Sequence, residues 1–229
     1  MIIDAHTHIG NSFWGQFSPE FLLDIIGDDV DIAICSNLEG IDSFTGKDEI
    51  ECNLDMLNAC KKFPKLKPLA VCEVDRTENA DKIRKLLSEH PQFIGLKFHP
   101  EFTKLRADSD KYNDYLKVAQ EYKKPCLYHS GHIRSRFSSP ELIYKKAKEF
   151  PDVPIILGHL STTTRECHER AIEIMLESIE KEDATLYADV SWVEIEDVIL
   201  LIESLKNTKK GDYIYSFTHV SRLLSEAQI

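Results

Sequence analysis

Ile2-Ile3-Asp4-Ala5-His6-Thr7-His8 opens the chain with a short β-branched run that ends in two histidines two positions apart. Side chains alternate along a strand, so Asp4, His6 and His8 share one face while Ile3, Ala5 and Thr7 take the other; i and i+2 positions stand about 6 to 7 Å apart. A strand that turns three polar residues to one side needs a partner for them, because buried polar groups are costly unless paired or ligating.

Seven further runs of similar length follow: Asp31 to Asn37, Pro68 to Asp75, Phe93 to His99, Pro125 to Gly131, Pro154 to Leu160, Thr185 to Ser191 and Tyr213 to His219. Amphipathic stretches separate most of them, the pattern of repeated βα units around a parallel sheet. Ser18-Pro19-Glu20 and Ser139-Pro140-Glu141 read as capped helix starts with proline at the first helical position. From Thr163 to Glu182, Ala171, Ile172, Met175, Leu176 and Ile179 recur at helical spacing against a charged opposite face. The units share no repeat consensus, which argues against a solenoid. Eight runs with polar ends favour a closed (β/α)8 TIM barrel over an open doubly wound sheet, and 229 residues suit one such domain spanning 1–229. Only ten residues, Val220 to Ile229, follow the last run, so the C-terminal end is short.

Composition narrows the function. With 42% hydrophobic and 29% charged residues the chain reads as an ordinary globular protein. A net charge of -11 argues against nucleic acid as a partner, because phosphate binding draws on clustered Lys and Arg. No apolar run approaches the roughly 18 residues needed to span a bilayer. Cys35, Cys52, Cys60, Cys72, Cys126 and Cys167 are scattered without a Cys-x-x-Cys pair and read as reduced, mostly buried thiols of a cytoplasmic protein. The sequence leaves a homodimer open.

Six of the nine histidines, His6, His8, His99, His129, His159 and His219, fall at or near the C-terminal end of a predicted strand. In a barrel these ends gather at one mouth. Catalytic zinc takes three protein ligands and leaves a position open, so His6 and His8 with His129 are expected to hold one divalent ion, with zinc first and manganese or iron as substitutes. Strand parity also turns Lys97 inward with His99, and Tyr187, Asp189 and Ser191 inward together.

These residues resemble the amidohydrolase superfamily, in particular the branch that includes aminocarboxymuconate semialdehyde decarboxylase. The resemblance runs through Ile2 to His8, Gly95-Leu-Lys-Phe-His-Pro100, Tyr128-His-Ser-Gly131, Ile156-Leu-Gly-His-Leu-Ser161 and Tyr187-Ala-Asp-Val-Ser191. It implies that His6, His8 and His129 are metal ligands and that His159 orients or deprotonates an attacking water. His99 and Lys97 match a motif of the branch and are taken as substrate-binding candidates; in binuclear members of the superfamily a carboxylated lysine bridges two metals, but a single ion is expected here.

The departure lies at the eighth strand, where the family pattern ends in aspartate and this chain reads Ser216-Phe-Thr-His219. Three accounts stand side by side: His219 replaces the ligand, the metal is kept without that base, or the site is impaired. If His219 ligates, His159 or Asp189 has to take the proton. Arg134 and Arg136 follow the fifth strand, where Arg134 is a candidate to clasp a substrate carboxylate, although solvated loop arginines are commoner. His90 and His168 are expected to be solvated on helices and His132 to lie at the surface, while Asp4 is expected to be a buried hydrogen-bond acceptor.

The expected function is a metal-dependent hydrolase that cleaves an amide, lactone or ester bond of a small molecule. A metal-dependent non-oxidative decarboxylase of an aromatic or enoic acid is the alternative, and a catalytically weak metal-binding protein is the second.

Overall fold

The computed structural model describes residues 2–208 apart from 14, 43–45, 75–79, 163 and 207. In chain order the strands are β1 (Ile3–Ser12), β2 (Gly15–Phe17), β3 (Ile32–Asn37), β4 (Leu66–Val71), β5 (Gly95–Phe98), β6 (Cys126–Tyr128), β7 (Ile155–Leu157) and β8 (Leu186–Ala188). The helices are α1 (Pro19–Ile26), α2 (Glu39–Asp42), α3 (Glu49–Lys62), α4 (Ala80–Glu89), α5 (Pro100–Thr103), α6 (Asn113–Glu121), α7 (Pro140–Ala147), α8 (Arg165–Lys181) and α9 (Ile195–Lys206).

Local chemistry starts several helices where expected. Ser18 accepts from Phe21 N at 3.1 Å ahead of Pro19, which opens α1. Asp48 and Glu51 form a reciprocal capping box on α3. Ser139 begins α7 with extended backbone but makes no side-chain cap bond. On α8, Ala171, Ile172 and Met175 are buried, as the periodicity predicts.

The sheet order is β2-β1-β3-β4-β5-β6-β7-β8, parallel throughout except for the antiparallel β1–β2 hairpin. That hairpin was not foreseen: β1 runs past His8 to Ser12 and pairs Gly10 with Phe17. Parallel strands in chain order with helices between them give the (β/α)8 barrel. Its curvature brings His6 on β1 against both Lys97 on β5 and Asp189 just after β8. The eighth run, Tyr213 to His219, lies outside the described residues.

The core lies mainly between strands and helices. On β5, Leu96 and Phe98 enter this layer, where Phe98 meets Tyr112, Tyr115 and Tyr128 with ring centroids 4.8 to 6.1 Å apart. Lys97 between them turns the other way, so the packing of its neighbours aims the lysine inward. All six cysteines are free, and only Cys60 is not fully buried. Among the described residues no helix is long and apolar enough to cross a membrane.

Candidate metal and catalytic site

The two histidines of β1 are presented by a bulge. Asp4 pairs with Ala33 and Thr7 with Cys35, so three steps on β1 match two on β3. Thr7 turns to β3 and donates to Ile34 O at 2.9 Å. His6 and His8 stay close, with ring centroids 5.0 Å apart. His6 donates through Nδ1 to Asp189 Oδ2 at 2.9 Å, which leaves Nε2 as the lone pair. Lys97 Nζ donates to that lone pair at 2.8 Å. His8 engages Ser36 Oγ through Nδ1 at 2.8 Å, across a register that pairs these two residues.

His159 sits on the turn after β7 in left-handed backbone, at φ 45, and Leu160 and Ser161 continue at φ 47 and 78. Such angles are unusual without glycine and mark strain held by the surroundings. Gly158 ahead of them has no room for a side chain: a Cβ would stand 2.7 Å from Tyr128 O and 3.5 Å from His6 Cε1. The strained turn fixes the ring. His159 Nδ1 lies 2.5 Å from Ser161 O and has to donate to it, so Nε2 carries the lone pair and accepts from His129 Nδ1 at 3.1 Å. His129 is thereby left with Nε2 as its bare nitrogen.

A ladder of rings runs across the strand ends. Phe13 meets Phe102 at 6.3 Å, Phe102 meets His99 at 4.4 Å, His99 stacks on His129 at 3.9 Å, His129 meets His159 at 4.7 Å, and Trp192 stacks on His159 at 6.0 Å. Both ends reach solvent: Phe13 is 57% exposed and Trp192 54%. Trp192 also holds a left-handed backbone, at φ 62.

Burial sets the charges. It lowers the pKa of all five imidazoles, with Lys97 adding to the effect, and His159 falls to about 4. All five are therefore neutral near pH 7 and keep a lone pair. Burial likewise lowers Lys97 to about 7 against the pull of Asp189. Burial alone would raise the Asp189 carboxyl, but the His6 ring and the hydrogen bonds from His6 and Ser191 hold it below the usual carboxylate range. Asp189 is thus a standing anion that orients His6. Asp4 is pushed up to about 7 by burial; its Oδ1 accepts from His6 N at 3.2 Å, while Oδ2 is buried without a partner among the described residues.

His6, His8, His99, His129, His159, Lys97 and Asp189 are thus brought into one cluster. As the side chains stand, no three His, Cys, Asp or Glu donors among the described residues close on a point that would hold an ion. At His6 the lone pair is already taken by Lys97. Arg134 is not brought to the cluster; it is exposed and lines a shallow cleft with Glu141, Glu166, Glu169, Arg170 and Glu173. His219 lies outside the described residues. His168 is not solvated but 1% exposed, hydrogen bonded to Asp197 at 2.7 Å. Ser36, the Ser161 carbonyl and Trp192 join the cluster without a role assigned by the sequence; only Ser36 carries a signal there, as the residue facing His8 across aligned strands.

A family model described as amidohydrolase matches residues 3–198. The chain belongs to the amidohydrolase family. Solved structures similar to this amidohydrolase include 4-oxalomesaconate hydratase from Rhodopseudomonas palustris, 13% identical with a TM-score of 0.62, over 96% of this chain and 82% of that one. A 5-carboxyvanillate decarboxylase from Novosphingobium aromaticivorans, complexed with manganese, is 11% identical with a TM-score of 0.61 over 90% of this chain and 71% of that one. A 2,6-dihydroxybenzoate decarboxylase is 14% identical with a TM-score of 0.66 over 100% of this chain and 93% of that one. At these identities the likeness to the amidohydrolase is one of fold. No curated protein matches it in sequence.

Proposed function

We propose that this amidohydrolase is a metal-dependent hydrolase of a small molecule, with His6, His8 and His129 as the ligands of one divalent ion. One observation carries this: in all three imidazoles Nδ1 is engaged by a protein partner, Asp189, Ser36 and His159 respectively, which puts the lone pairs of His6 and His129 at Nε2, that of His6 held by Lys97, and leaves Nε2 as the remaining nitrogen of His8. Ligating histidines are held in this way, by an outer partner on the second nitrogen. Neutral imidazole donors suit zinc, and the manganese of the carboxyvanillate decarboxylase structure makes manganese the second choice.

An ion bound there supplies Lewis-acid activation of water and of a substrate oxygen. The chain supplies the rest. His159, neutral and aimed by its strained turn, accepts a proton at Nε2 once His129 releases it, and Ser161 O stabilises the resulting imidazolium through Nδ1. Asp189 stays ionised and keeps His6 in one tautomer. Trp192, Phe13 and Phe102 wall the mouth with apolar surface that excludes water from the histidines.

The test is a screen of small esters, lactones and amides with chelated protein and with protein reloaded with zinc or manganese. Turnover that disappears on chelation and returns on reloading supports the proposal; undiminished turnover in metal-free protein overturns it. Decarboxylation is the second reading, favoured by the fold likeness to two decarboxylases. Carbon dioxide release from aromatic or enoic acids separates it from hydrolysis. Metal binding without turnover of any of these would point to a binding protein.

A further inference from the structure

The contact between Lys97 and His6 does more than bury a charge. His6 is pinned on both sides, by Asp189 at Nδ1 and by Lys97 at Nε2, 2.9 and 2.8 Å away. Lys97 is 1% exposed, and its backbone direction is fixed because Leu96 and Phe98 on either side are locked into the helical layer. An imidazole nitrogen has one lone pair. An ion at the usual zinc–nitrogen distance of about 2.0 to 2.1 Å would need the lone pair that now receives the Lys97 hydrogen bond. The ring cannot offer Nε2 elsewhere without breaking its bond to Asp189.

We infer that Lys97 is a resident competitor for the metal site: its amine holds His6 in the ligand tautomer when no ion is bound and has to withdraw for an ion to enter. The inference rests on the metal reading of the cluster. The lysine keeps a buried imidazole satisfied, and so keeps the site ordered, at the expense of affinity for the ion. Two effects act in the same direction when it is removed. The lone pair is freed, and the space beside Nε2 that the amine now fills opens to the ion.

The experiment is a chelator-competition titration of manganese and of zinc with the full chain as wild type, Lys97→Met, Lys97→Gln and His6→Ala, each checked for folding by circular dichroism. Met matches the length of the lysine stem and Gln keeps a polar end, so failure of one to fold leaves the other to decide. Lys97→Met or Lys97→Gln is expected to bind at least tenfold more tightly than wild type. Affinity that is unchanged or weaker in the folded variants overturns the inference; weaker binding would make Lys97 a contributor to the metal site through its amine or a derivative of it. Wild-type affinity retained by His6→Ala sinks the metal reading itself, whatever the lysine variants do.

Discussion

His168 on α8 and Asp197 on α9 are joined by a 2.7 Å hydrogen bond in a site that leaves neither more than 5% exposed, and Arg165 Nη1 reaches the same carboxylate at 2.8 Å. The pair ties two helices together at the foot of the loop that carries Asp189, Ser191 and Trp192. Removing the carboxylate leaves the buried Nδ1 of His168 without its hydrogen-bond partner. Asp197→Ala is expected to lower unfolding stability by about 1 to 3 kcal/mol in a urea titration, with Asp197→Asn recovering part of it. A loss within about 0.5 kcal/mol, the range of an ordinary surface exchange, would show that the tie contributes nothing.

In the proposed metal site Asp189 would act on the ion through His6. Asp189→Asn replaces an obligate acceptor with an amide that can turn a donor towards Nδ1, which would move the lone pair of His6 away from Nε2. Metal affinity is expected to fall roughly 10- to 100-fold in chelator competition. An Asn variant that binds as tightly as wild type would leave Asp189 without an orienting role.

His159→Ala removes the proposed proton acceptor but no proposed ligand. Its kcat at saturating metal is expected to fall about 10²- to 10⁴-fold, and its metal affinity to fall as well because His129 loses the partner on Nδ1. Wild-type turnover restored by excess metal alone would leave His159 an orienting partner of His129 and no proton acceptor.

The buried imidazoles give the metal-free protein a signed pH dependence. Their folded pKa values lie below the unfolded value of 6.5, so between the two the unfolded chain binds more protons and stability falls as pH falls. His159, lowered to about 4, accounts for on the order of 3 kcal/mol by the bottom of that range. Lys97, at about 7 when folded, has the same sign above pH 7, where stability should rise. Asp4, raised to about 7, opposes the imidazoles between its unfolded value of 3.8 and pH 7, but it is one group against five. Chelated protein titrated with urea at pH 4.5, 6.5 and 8.5 should therefore be least stable at the lowest pH. A flat profile would mean that the rings are solvated.

Trp192 stands in left-handed backbone with more than half its side chain in water. Glycine adopts that conformation freely and alanine does not. Trp192→Gly is expected to be more stable than Trp192→Ala by about 1 kcal/mol in the same urea assay, although both lose the ring. Equal stabilities would show that the backbone relaxes when the indole is removed.

Much of this was legible in the residues. Seven of the eight β-branched runs are strands, because alternation of short apolar runs with capped amphipathic helices admits few folds. His99, His129 and His159 were legible because each lies just past a strand end, and His6 and His8 because alternation turns both to one face of β1. What escaped was set by backbone conformation or by distant pairing. The β1–β2 hairpin is built from Gly10, Asn11, Ser12, Gly15 and Gln16, which carry no apolar alternation. The left-handed turn at His159 has no glycine at its own positions to announce it. His168 looked solvated because its partner, Asp197, comes 29 residues later, and Lys97 gave no hint that it would take the His6 lone pair.

The run of positive φ at residues 159–161 also has a bearing on redesign. Main-chain curvature, more than neighbouring side chains, decides where the group at 159 is presented. A thiol, carboxylate or amine installed there would inherit the same heading towards the histidine cluster, which makes this turn a ready mount for a different reactive atom.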